Sequence, residues 1–106
     1  MNYRFMRTLL FFDLPSVSKS EQREYRKFVK FIKQKGFVMM QESVYTKLSL
    51  NETVVESTRK EIKANLPKDG IVSLLTVTEK QFASIEQLVG DLNTDVVMSD
   101  AKIIKL

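Results

Sequence analysis

"FVMMQESVYTKLSL", residues Phe37–Leu50, holds two β-rich pieces with almost nothing between them. Phe37–Gln41 and Val44–Ser49 meet at Glu42-Ser43, which predicts a tight hairpin or a single sharply bent strand. On the N-terminal side, Gly36 offers the left-handed position that ends helices, and Ser18-Lys19-Ser20-Glu21 is a capping box that starts one. The helix between them, to Lys35, would be roughly 25 Å long. Before it, Arg7–Leu14 reads as a strand whose four consecutive apolar residues, Leu9–Phe12, suit the middle of a sheet.

On the C-terminal side, Ser49-Leu50-Asn51-Glu52 reads as a second capping box. It opens a helix that Pro67 closes, with Val55, Ile62 and Leu66 on its buried side. Asp69-Gly70 is a turn, and Ile71–Val77 is a strong strand. Thr78-Glu79-Lys80-Gln81 is a third capping box, with room for one helical turn and a short strand near Ser84–Val89. Asp91–Ser99 is polar and loop-like, and Lys102–Leu106 could add a last strand. The order is βαββαβ plus an extra C-terminal strand. A ferredoxin-like α+β fold, an antiparallel sheet with two helices on one face, accommodates it with short connections. The chain reads as one domain, with residues 1–90 as core and 91–106 as linker and C-terminal strand.

Composition narrows the function. At 106 residues there is one small core. No apolar run approaches the ~18 residues of a spanning helix, and no signal-peptide pattern follows Met1, so a membrane is not indicated. The absence of Cys excludes disulfides and thiolate zinc sites and fits a reducing cytoplasm. The absence of His removes the commonest general base and every Ser-His or Cys-His arrangement. Hydrolysis would have to rely on carboxylates with a hard cation, or on Lys and Tyr.

Charge is concentrated. Residues 1–35 hold nine Lys/Arg against three acids, a balance of +6 that leaves −2 for the remainder, since the total is +4. On the first helix Lys19, Arg23, Arg26, Lys30 and Lys33 are spaced four, three, four and three, and so form one line. Tyr25, Phe28, Val29 and Ile32 fall on the opposite side. Like charges one turn apart cost a few tenths of a kcal/mol each, so the line is tolerated at a loss. Backbone phosphates are the partner that uses it best. Arg7 joins the five as a candidate nucleic-acid contact. There is no phosphate-binding glycine loop, zinc-finger spacing or helix-turn-helix order. Tyr3, Tyr25 and Tyr45 read as packing residues, Met39-Met40 as core, and Ser43 as a turn residue. Asp13, by itself, reads as the start of a turn before Pro15.

Several stretches together change that reading of Asp13. The opening "YRFMRTLLFFDLP" (Tyr3–Pro15), the basic helix closing at Gly36, "QESVY" (Gln41–Tyr45) and "LLTVTEKQF" (Leu74–Phe82) resemble the small CRISPR-associated adaptation protein family. That family is the ferredoxin-like partner of the CRISPR integrase, often labelled an endoribonuclease, and the resemblance is to versions accompanying type II systems. It covers nearly the whole chain. The resemblance implies a homodimer in which the C-terminal strand crosses onto the partner's sheet. It also implies two flanking integrase dimers and double-stranded DNA lying across the assembly.

Asp13 matches the family's metal-linked aspartate, which faces its twin across the two-fold axis. Two adjacent carboxylates repel unless a cation or a proton intervenes. Mg²⁺ accepts one or two carboxylates and fills its other positions with water. The expected function is a structural, DNA-bridging subunit of a spacer-acquisition complex in antiviral defence, located in the cytoplasm. The alternative is a Mg²⁺-dependent endonuclease, cutting RNA or DNA, with Asp13 as its catalytic and metal-binding residue. A third reading is a membrane- or RNA-binding regulatory module that merely shares the fold.

Overall fold

A computed structural model describes residues 5–91. The expected strand Lys102–Leu106, nearly all of the linker before it, and Tyr3 lie outside these described residues. The elements are β1 (Met6–Asp13), α1 (Lys19–Gln34), β2 (Val38–Gln41), β3 (Val44–Ser49), α2 (Glu52–Lys63), β4 (Ile71–Thr78) and α3 (Glu79–Ala83). The four strands form one sheet in the order β2-β3-β1-β4, and every neighbouring pair is antiparallel. This is the ferredoxin-like α+β arrangement expected from the element order.

β1 is central because its residues can be buried on both faces. It pairs with β3 from Met6 to Phe11 and with β4 from Met6 to Asp13. Side chains of a strand alternate between faces. Leu10, Phe12 and Leu14 therefore point to one side, where Phe28 and Ile32 of α1 and Ile62 of α2 complete the main core. Phe12 is its hub: Phe28 and Tyr25 meet it edge-on, and Tyr45 stacks on it with ring centroids 5.7 Å apart. Leu9 points to the other side and packs with Phe82 of α3 in a smaller cluster with Val38, Met40 and Val77. The helix-covered face is thus as expected, and a third, short helix occupies the opposite one.

The punctuation follows local chemistry. Ser18 and Glu21 form the reciprocal capping box at the start of α1, and Gly36 takes φ +96° after its end. Between β2 and β3 lies a hairpin, not a bent strand, with Ser43 at φ 64° in its turn. Three expectations are corrected. The cap of α2 is Asn51, whose side chain accepts from the Val54 amide, while Ser49 is buried at the end of β3. Leu66 is 51% exposed, because α2 stops at Lys63 and the chain has already turned away. Residues 84–89 form no strand. The Ser84 and Ile85 amides instead bond back to Gln81 and Phe82, finishing the helical turn.

Candidate nucleic-acid interface and the strand-end aspartate

α1 holds its cations away from the sheet because Phe28 and Ile32 hold the opposite side down. Lys19, Arg23, Arg26, Lys30 and Lys33 are all exposed, and their line runs roughly 21 Å along the axis. Among the described residues none of the five is in an ion pair; the pairs that form are Lys35–Glu61, Arg59–Glu56 and Arg7–Glu79. Their charge is therefore available to a partner. Beside the line, Tyr25 and Val29 floor an open surface groove with Arg26, Lys30 and Lys33 at its edge. A shallow cationic track of this kind suits a polymer backbone better than a small molecule. Tyr45 cannot stack on a base, because it is buried against Phe12. Burial, and then the neighbouring Tyr25, raise its phenol above the ordinary tyrosine value.

Arg7 does not belong to that surface. It is 1% exposed, and its guanidinium lies in the interior on the far side of the sheet from α1. Its Nε donates to Glu79 Oε1 at 2.9 Å and its Nη2 to Oε2 at 2.6 Å. The same group sits 4.3 Å from the centroid of the Phe82 ring. As a nucleic-acid contact Arg7 is thus corrected: a strand position flanked by Met6 and Thr8 turns inward where α3 covers it. The pair joins two of the quoted stretches, "YRFMRTLLFFDLP" and "LLTVTEKQF", which lie far apart in the sequence.

Asp13 is exposed and is the last residue of β1, opposite Ile71 of β4. By alternation it shares its face with Leu9 and Phe11, the face without α1 and α2. Its backbone carbonyl lies against Gly70, where an added Cβ would come within 2.6 Å of it. Among the described residues no three acidic groups gather to hold a metal. Asp13 is the carboxylate that β1 brings to this strand end. One carboxylate can hold Mg²⁺ when water, or a carboxylate from a second chain, fills its other positions.

The open face carries what the sequence reading missed. Phe11, Ile71, Leu75 and Ile85 are exposed there at 38, 64, 50 and 42%. Leu9, Phe11, Leu75, Val77, Phe82 and Ile85 line an apolar groove of about 290 Å³. Among the described residues β4 also forms one edge of the sheet, with no charge and no proline in "IVSLLTVT". The signal was present: a strand with one solvated face alternates apolar and polar, and this one is apolar on both.

The family model described as CRISPR associated protein Cas2 matches residues 6–85. A protein of Treponema denticola named CRISPR-associated endoribonuclease Cas2 is 42% identical over 101 residues, covering 95% of this chain and all of its own. One of the same name from Streptococcus mutans serotype c (strain UA159) is 45% identical, covering 95% of this chain and 93% of its own. Another, from Acidovorax ebreus, is 47% identical over 85 residues, 80% of this chain and 83% of its own. No helix among the described residues is long and apolar enough to cross a membrane.

Proposed function

The chain belongs to the CRISPR-associated protein Cas2 family, and from that premise we propose that it is a structural, DNA-bridging subunit of the spacer-acquisition complex. The observation that carries this is the line of five exposed cations on α1, free of ion pairs among the described residues. In the proposed assembly a duplex lies across a homodimer of this chain, and integrase dimers flank it in the cytoplasm. The apolar open face and the uncharged edge of β4 support the homodimer. An apolar patch of this kind is a docking surface in soluble proteins, and an edge without charge or proline accepts another strand.

The test is the salt dependence of duplex binding. With about four phosphates neutralised per subunit, log K falls against log[salt] with a slope near −3.6 per subunit. Replacing Arg23, Arg26 and Lys30 by Gln removes most of that slope while the helix and its integrase partner remain. An unchanged slope in the folded triple variant defeats the proposal.

A second reading, Mg²⁺-dependent cleavage of a phosphodiester, is favoured by one observation: Asp13 stands exposed at the rim of the open face. The relatives' printed name, endoribonuclease, is consistent with it. In a homodimer closed on that face, Asp13 and its twin would share one Mg²⁺. Such an ion would supply charge stabilisation at the phosphate. What this chain itself contributes is one fixed carboxylate, held at a strand end by the pairing of β1 with β4. With no His in the chain, a proton from water would have to go to solvent or to a carboxylate.

A further inference from the structure

Placing an arginine inside so small a core is costly. Replacing a buried ion pair by apolar residues of similar size is often neutral or stabilising, so stability alone does not explain Arg7 and Glu79. A two-bond fork does supply a fixed direction. The pair anchors the first residue of α3, and the Glu79 amide is tied to the Phe5 carbonyl as well. No linker separates β4 from α3, because Thr78 both ends the strand and caps the helix. The angle of the fork therefore passes directly to the helix. Phe82 is drawn under the guanidinium and onto Leu9, and Ile85 emerges beside Phe11 and Leu75.

We infer that the Arg7–Glu79 pair is a positioning clasp: it sets how α3 lies over the open face, and so how much of the apolar groove stays open to a second copy of this chain. The inference rests on the homodimer in the proposed function. It assigns the two charges to shaping the dimer face, not to binding DNA and not to holding the fold together.

Three measurements on the full chain test it: the thermal midpoint, amide hydrogen exchange at Gln81, Ser84 and Ile85, and homodimer affinity by sedimentation. In Arg7→Met/Glu79→Leu the midpoint stays within about 4 °C of the parent. Exchange at the three amides rises about tenfold, and the homodimer weakens about tenfold, because α3 loses its directional anchor. Arg7→Lys keeps the charge without the fork and gives the same two losses. A double variant that does not fold overturns the statement that the pair does not hold the fold together, and Arg7→Lys then tests the positioning role by itself. Full protection of α3 and full dimer affinity in the folded variants overturn the clasp. A parent chain that sediments as a monomer defeats the dimer reading instead, and the exchange data alone then decide whether the clasp exists.

Discussion

Gly70 controls the strand end on which Asp13 depends. Its φ of +100° is left-handed, and a Cβ there would come within 2.6 Å of the Asp13 carbonyl oxygen and 2.8 Å of Leu14 Cδ2. Gly70→Ala should therefore cost more than about 1 kcal/mol, read as a lower denaturant midpoint at unchanged slope. The Asp69-Gly70 turn was legible because glycine is the default at such positions; its contact with Asp13 was not, since residues far apart in sequence meet only in the sheet. Glu21 is a second case. Its carboxylate accepts from the Val17 and Ser18 amides, and these bonds, that from Ser18 first, hold its pKa below the ordinary glutamate value. The stabilisation is present above the unfolded carboxylate value of about 4.3 and lost as pH falls through the lower folded value. The Val17 and Ser18 amide resonances should titrate in that acid range, and Glu21→Gln should abolish the transition. Arg7 marks the limit at this scale: composition counts a charge and does not say whether it is paired inside.

At the level of elements, legibility followed how local the determining chemistry is. The capping boxes at Ser18 and Thr78 span four residues each and are both formed. The box expected at Ser49 failed because β3 claims Ser49 for the sheet, leaving Asn51 to cap α2. The two residues now make opposite predictions. Asn51→Ala should cost about 1 kcal/mol by leaving the Val54 amide without its acceptor. Ser49→Ala should be close to neutral, because the Ser49 hydroxyl is buried with no hydrogen-bond partner among the described residues. Thermal midpoints of the two variants, measured side by side, check the pair; a larger loss for Ser49→Ala would restore the original assignment. The segment 84–89 was misjudged for a related reason. Ile85, Leu88 and Val89 favour strands, but within one chain β4 has already turned into α3, and Leu88 and Val89 stand 84 and 87% exposed.

For the molecule as a whole, the sheet order could be inferred because βαββαβ with short connections leaves few alternatives. Which cations share a surface could be inferred only on α1, where helical period alone fixes direction. The open apolar face was missed although its signal lay in β4, whose apolar residues do not keep to one side; which of them stay exposed depends on how much of the open side α3 covers. The asymmetry between the two sides of the sheet is what separates the two functional readings. The cations lie on the helix-covered side, whereas Asp13 lies at the rim of the opposite face. Asp13→Asn therefore removes one carboxylate there and touches neither the basic line, nor the main core around Phe12, nor the Arg7–Glu79 pair. If the protein is a DNA-bridging scaffold, the variant still binds duplex with the parental salt slope, still assembles with the integrase, and still supports spacer acquisition in cells. If catalysis is its role, metal-dependent cleavage and acquisition fall together, since removing a metal-centred charge costs several kcal/mol of transition-state stabilisation, a loss of about a thousandfold or more. The expected outcome is acquisition at the parental level with any Mg²⁺-dependent cleavage lost. Acquisition that collapses in a variant still able to form the complex would reject the structural role, because nothing among the described residues connects Asp13 to the basic line on α1.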